Sequence, residues 1–418
     1  MRAPGLDGGV SAAVRSAYET DWARIVATII RFTGDWDVAE EAAAGAFERA
    51  LTAWPRDGVP RTPAAWLTTS ARNLALDRLR RRGVETGKLQ DWTTMEDARP
   101  RTPDDPAERA VGDPEWDDRL RLIFTCAHPA LPLDARVALT LRTVGGLSTP
   151  EVAKAFLVSE STMAQRIVRA KAKITHAGIP YQVPPPEALP ERLDGVLAVL
   201  YLVYNEGYKA TSGTSLQRLD LAAEAIRLTR LLARLLPDPE PIALLALMLL
   251  QHSRASTRVD EVGDLVPMED QDRSRWNSLE IAEGLALLES SAGGRRSAYR
   301  VQAEIQAIHA RAPSASDTDW RGILARYGEL PDSPVVELNR AIAVGMAEGP
   351  QAGLAALALL AASGRLEGYH LLPAAQADLS RRAGLVAEAA AHYRVAIDLA
   401  PTEPERRYLE RRLAAVAE

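Results

Sequence analysis

Residues Leu147–Ile174 read LSTPEVAKAFLVSESTMAQRIVRAKAKI, and two helix starts stand within them. Ser148 and Glu151 are spaced as a capping box, with Pro150 inside the first turn, where a missing N–H costs nothing. The helix they open carries Val152, Ala153 and Phe156 as apolar positions. A turn at Leu157-Val158 follows, and Ser159 is placed to cap a second helix. Met163, Ile167, Ala170 and Ile174 recur at helical intervals, so they form one inward stripe. The opposite face carries Ser161, Gln165, Arg169 and Ala172, flanked by Thr162, Arg166 and Lys173. Two short helices joined by a tight turn make a helix-turn-helix. The second helix of such a motif enters the major groove with its N-terminal residues at base edges. Gln can pair with adenine and Arg with guanine through two hydrogen bonds each, and Lys171 and Lys173 suit phosphates. Two packed helices with a merely basic outer face would read the same way, so the flanking sequence has to decide.

Upstream, Asp37–Trp54 has apolar residues at helical spacing with Glu40, Glu41 and Glu48 among them. A solvated acidic face is one reading. Thr62-Pro63 then opens another helix, with an inner stripe of Leu67, Ala71, Leu74 and Ala75. From Arg61 to Arg82 the charges are Arg61, Arg72, Arg78, Arg80, Arg81 and Arg82 against one acid, Asp77. An acidic helix beside a basic one bearing Trp66 points to two partners. One is a basic protein surface, the other a phosphate backbone with the indole as a stacking platform.

The rest of the chain sets the frame. It has 418 residues, 47% hydrophobic and 25% charged, with a formal net charge of -6. That length and composition fit two or three soluble domains. The net charge excludes a uniformly basic nucleic-acid binder and leaves room for a locally basic one. The single cysteine, Cys126, allows no internal disulfide and fits a reducing cytoplasm. No signal peptide is read at Met1–Val10, and Gly5–Gly9 reads as a disordered terminus. No stretch reaches the ~18 apolar residues of a membrane span, and the run Pro241–Leu250 reads as a buried helix. Periodicity is helical nearly throughout, so the expected fold class is all-α. Three stretches break it: the acidic, Pro-containing Gly83–Pro114, the Pro-rich Ile179–Pro190, and Ala312–Asp319. The expected domains are 1–83, a linker over 84–114, 115–178, a second linker over 179–190, and 191–418.

In the C-terminal part, Ala389, Tyr393, Ala396 and Pro401 match the small, aromatic, small and proline spacing of a tetratricopeptide repeat. Pro373 stands where the repeat's first helix usually has an aromatic. Val335–Leu360 reads as a preceding helical pair, and 220–250 and 276–312 as helices without a clear repeat. YLVYNEGYKATSG (Tyr201–Gly213) has two readings. One is a helix end with Gly207 as C-cap; the other is a docking or sensing site made by Tyr204, Asn205, Glu206, Gly207 and Tyr208. No enzyme chemistry is read. His128, His176, His252, His309, His370 and His392 are scattered, Cys126 and His128 lack a second pair for zinc, and no phosphate loop or nucleophile elbow occurs. No cofactor and no metal site are expected.

GDWDVAEEAAAGAFERALTAWP (34–55) followed by TPAAWLTTSARNLALDRLRRR (62–82) resembles conserved region 2 of the extracytoplasmic-function sigma factors of bacterial RNA polymerase. Leu147–Ile174 resembles their region 4. The resemblance implies that Glu40, Glu41 and Phe47 face the polymerase β′ clamp. It implies that Arg61, Trp66, Asn73, Asp77 and Arg80 lie at the promoter −10 strand, with the loop from Arg56 to Thr62 holding a flipped base. Region 4, by the same resemblance, contacts the β flap and reads the −35 element through Ser161, Thr162, Gln165, Arg166 and Arg169. Ala44-Gly45 departs from the family, which often has Gln-Glu there, and Gly45 costs helix stability. Such a reader spans roughly 17 base pairs, about 58 Å at ~3.4 Å each. Gly83–Pro114 can extend to roughly 100 Å at ~3.3 Å per residue, against about 30 Å as a random coil. Its acids fit either a solubilising linker or a strand threading a basic channel. The C-terminal part resembles the repeat-bearing extension of a subgroup of these factors, which implies modulation of activity, with intramolecular contact to the sigma domains as one route. The competing reading is a repeat scaffold with a helix-turn-helix that binds DNA without polymerase.

Overall fold

The computed structural model describes residues 6–86, 117–156, 158–209, 217–236, 238–291 and 296–417. The fold is all-α, and the one β feature among these residues is an isolated bridge between Val259 and Leu265. The chain divides into two compact units, 1–199 and 200–418. The expected acidic linker falls largely outside the described residues.

The first unit opens with three helices, α1 (Leu6–Thr33), α2 (Trp36–Asp57) and α3 (Pro63–Thr86). Leu6–Gly9, expected in a disordered terminus, form the first turn of α1. The Asp35 carboxylate caps α2, accepting from the Val38 amide at 2.9 Å. Ala39, Ala42, Ala43, Ala46 and Ala50 are all buried. Such small side chains let neighbouring helices come close. Gly45 belongs to this packing, because a Cβ there would lie 3.0 Å from Leu74 Cδ1 on α3. The propensity lost at Gly45 is offset by the close approach of α2 and α3.

Next come α4 (Asp118–Cys126), α5 (Leu133–Leu139), α6 (Thr149–Ala155) and α7 (Glu160–His176), with a π-helical turn at Thr140–Val144 after α5. They pack against α1–α3 in the same unit. The Pro-rich stretch expected as a linker is instead a packed strap. Ile179 is buried, Tyr181 stands edge-on to Trp36 with ring centroids 6.3 Å apart, and its hydroxyl lies 3.2 Å from Ala27 O and 3.3 Å from Asp118 O. Proline fixes an extended backbone that needs no ladder of its own, and anchoring side chains hold it down. The unit boundary lies further on, inside α8 (Leu189–Tyr208), where the Arg192 guanidinium donates to Phe124 O at 2.7 Å.

The second unit comprises the end of α8 and α9 (Leu219–Leu235), α10 (Pro239–His252), α11 (Ser278–Ser290), α12 (Ala298–Arg311), α13 (Trp320–Tyr327), α14 (Pro334–Glu348), α15 (Pro350–Ala362), α16 (Leu371–Arg382), α17 (Val386–Leu399) and α18 (Glu403–Ala417). The apolar run seen in the sequence is α10; Ala243–Leu250 are buried, with α9, α11 and α12 packed around them. Beyond it, α14–α15 and α16–α17 are helical pairs. Ala389, Tyr393 and Ala396 form the core of the last pair with Leu409 of α18, as the repeat spacing requires. No described helix is long and apolar enough to cross a membrane.

Candidate nucleic-acid interface

The second helix of the helix-turn-helix is α7. Ser159 Oγ accepts from the Thr162 amide at 3.2 Å. The Ser148 amide and hydroxyl reach Glu151 Oε2 at 2.6 and 2.7 Å, and these hydrogen bonds hold the Glu151 carboxyl below its ordinary range. Both starts are therefore fixed by the chain's own side chains. Met163, Ile167, Ala170 and Ile174 are buried. Ser161, Thr162, Gln165, Arg169 and Lys173 are exposed on the other side. Arg166 is half-buried, paired with Asp134 at 3.2 Å and lying over the Phe156 ring. Val168, 63% exposed beside Arg169, is an apolar contact point that the sequence pattern did not single out.

Lys171 does not share that face. Its ammonium lies 3.2 Å from Glu40 Oε2 and 2.8 Å from Asp37 Oδ1. Glu40 also accepts from Thr143 Oγ1 at 2.9 Å and pairs with Arg142 at 3.2 Å. One buried carboxylate of α2 is thus held by three groups of the second helical module. Thr143 O in turn accepts from Trp22 Nε1 at 3.1 Å. Phe47 is buried against Tyr18 and Trp22, with ring centroids at 5.0 and 6.2 Å. Glu41 is exposed and pairs with Arg78. The three residues expected on one polymerase-facing surface therefore have different environments. Arg142, Thr143 and Tyr181 carry weight that sequence spacing could not reveal, because their partners, Glu40 and Trp22 for the first two and Ala27, Trp36 and Asp118 for Tyr181, lie far away in the chain.

On α3, Trp66, Asn73, Asp77 and Arg80 fall on one face at helical spacing. Asn73, Asp77 and Arg80 are exposed, and Trp66 is half-buried, edge-on to Trp54 at 5.7 Å. Arg61 is exposed in the loop before them. An indole held by a second indole keeps one orientation, which suits a stacking platform.

In the second unit, α8 runs through Gly207 to Tyr208, so Gly207 is not a C-cap. A Cβ at Gly207 would sit 2.9 Å from Ala222 Cα and nearer still to its amide nitrogen. Glycine is required there by a helix crossing, not by a helix end. Tyr204 is buried, stacked on Tyr208 at 5.6 Å, and donates to Met248 O at 3.1 Å. Asn205 O accepts from the Lys209 amide, Glu206 pairs with Arg218 at 3.1 Å, and Lys209 with Glu405 at 3.0 Å. Residues 210–213 of the quoted stretch lie outside the described residues.

Comparison with known proteins follows the same division. Sigma-70 region 2 matches residues 18–84, and Sigma-70, region 4 matches 121–174. A family of unknown function, DUF6596, matches 192–292. An uncharacterized protein of Rhizobium meliloti (strain 1021) is 44% identical over 394 residues, covering 93% of this chain and 92% of its own length. No solved structure matches. With a region 2 bearing an aromatic-basic helix, a region 4 built as a capped helix-turn-helix and a helical extension behind them, the chain belongs to the sigma-70 family of RNA polymerase sigma factors, as a member of the extracytoplasmic-function type.

Proposed function

We propose that residues 115–178 read the promoter −35 element through Ser161, Thr162, Gln165, Arg166, Arg169 and Lys173 of α7. In the same reading residues 1–83 capture the −10 strand along Arg61, Trp66, Asn73, Asp77 and Arg80. What supports it above all is the exposed, capped outer face of α7, which offers donors and acceptors suited to base edges while its apolar face is buried. Glu40, Glu41 and Phe47 dock on the β′ clamp, region 4 docks on the β flap, and 84–114 tethers the two. The factor works in the cytoplasm and opens DNA with binding energy, without covalent chemistry of its own. Because Glu40 and Lys171 are buried where the two modules meet, and Phe47 is buried against Tyr18 and Trp22, which bond to Gly146 and Thr143, the closed packing is the resting form, and core polymerase separates the modules. Separation frees Lys171 for phosphate. The extension modulates activity, with intramolecular contact to the sigma domains as its route.

The test is a purified transcription reaction with core polymerase and the full chain, read by run-off product and footprinting. Protection upstream at −35 together with a melted −10 region is the expected result. A chain that joins core polymerase yet protects neither region would overturn the assignment.

A further inference from the structure

The segment between α10 and α11, acidic overall, carries three arginines, Arg254, Arg258 and Arg273, whose side chains lie over aromatic rings. Arg258 is only 9% exposed, yet its guanidinium donates to the Tyr208 carbonyl oxygen and lies over the Tyr208 ring, 3.9 Å from the ring centroid. Arg254 lies over the same ring at 5.8 Å, and its guanidinium makes no hydrogen bond or ion pair among the described residues. Arg273 lies over Trp276 at 4.9 Å and donates to His309 O and Ala312 O, both at 2.7 Å, and to Thr318. The backbone brings these residues together: Asn277 N donates to Ser253 O at 2.7 Å, and Ser256 Oγ to Arg275 O at 3.4 Å.

No carboxylate among the described residues lies within ion-pair distance of Arg254, Arg258 or Arg273. Glu405 is near Arg258 but is already engaged by Lys209, His370 and Thr402. Burial and the Arg254 charge push Arg258 below the ordinary arginine range. Burial with Arg254 and Arg273 pushes His309 down to about 3, so its imidazole is neutral. Buried polar atoms also gather here without partners among the described residues: Tyr208 Oη, Arg254 Nε, Arg273 Nε, Trp276 Nε1 and His309 Nδ1. Charged side chains are rarely buried unpaired, and an unmet buried donor is costly. Asp317 lies near Arg273 but beyond ion-pair distance, and unmet buried polar atoms around guanidiniums that hold no ion pair call for an anion.

We propose that Arg254, Arg258 and Arg273, with Tyr208, Trp276 and His309, form a binding site for the phosphoryl group of a small molecule. Guanidinium forks match phosphate oxygens, and the rings keep the forks oriented. Most of this site falls within residues 192–292, so it gives that family of unknown function a ligand chemistry. It stands independently of promoter recognition.

The test uses the full chain and two probes, inorganic phosphate and pyrophosphate, titrated by calorimetry at constant ionic strength. Saturable millimolar or tighter binding of at least one probe is expected, with pyrophosphate bound more tightly if the natural ligand is a polyphosphate ester and equally if it is a monoester. Arg254→Gln is the chosen variant because the Arg254 guanidinium makes no hydrogen bond among the described residues, and its backbone bonds to Thr257 are kept. It should keep the wild-type circular-dichroism melt without ligand and weaken binding at least tenfold, while Arg254→Lys falls between. No saturable binding of either probe, or binding unchanged in Arg254→Gln, would overturn the proposal.

Discussion

At the residue scale, two side-chain positions carry sharply different expectations. Arg169 is exposed on α7, and its Nε reaches only Gln165 O of its own helix at 3.3 Å. Arg169→Ala should cost about 1–3 kcal/mol in binding to promoters with a −35 element and leave core polymerase binding unchanged. Fluorescence anisotropy with promoter fragments and with core enzyme measures both; a loss of core binding would show that α7 had been assigned the wrong partner. Gly207 was legible only as a glycine near the end of an apolar run. Its reason is the Ala222 backbone, which comes from another helix. Gly207→Ala must push α8 and α9 apart and should destabilise the second unit by about 3 kcal/mol or more, seen as a lower urea midpoint. The exposed face of α7 was readable because a cap and a 3.6-residue period are local; Lys171 was not, since its carboxylates sit on α2.

At the scale of elements, buried ion pairs decide which helices are fastened. Glu40 joins α2 to the turn after α5 and to α7. Glu40→Gln leaves Lys171 and Arg142 facing a neutral group and should cost about 3 kcal/mol, measurable as a loss of stability in the first unit by hydrogen exchange on α2 and α7. In the second unit Glu405, in the first turn of α18, accepts from His370 and Thr402 and pairs with Lys209 at the end of α8. Burial raises the Glu405 carboxyl, but those partners outweigh it and hold it at about 2, against 4.5 for a free glutamate. A depressed folded pKa gives stability that is full above the unfolded value and is lost as pH falls. Stability from Glu405 should therefore decline between about pH 4.5 and 2, and Glu405→Gln should flatten that part of the melting-temperature profile. The repeat-like pair α16–α17 was legible from Ala389, Tyr393 and Ala396. The fastening of α18 to α8 was not, because His370, Thr402 and Glu405 signal nothing until brought near Lys209.

At the scale of the whole molecule, the first unit holds its two sigma modules packed together. In the proposed reading the two modules reach promoter elements about 58 Å apart, from roughly 17 base pairs at ~3.4 Å, so core polymerase has to separate them. Cysteines placed at exposed Asp57 and Ala172 can carry a fluorophore pair, since the native Cys126 is buried. Energy transfer should be high in the free chain and fall when core polymerase is added; an unchanged signal would show that the modules stay together. A chain ended at Ile179 loses Tyr181 from Trp36 and Arg192 from Phe124 O, so it should melt lower than one ended after Tyr208. By itself the sequence determined the all-α class, the helix starts, the helix-turn-helix with its inner and outer faces, and the repeat spacing near the end, because capping and helical periodicity act within a few residues. Only the tertiary structure decided that Glu40 and Lys171 neutralise each other, that the Pro-rich strap is packed, and that three arginines share one neighbourhood. The free energies of buried charges and close helix crossings depend on residues far apart in the chain, and no local pattern records which of them will meet.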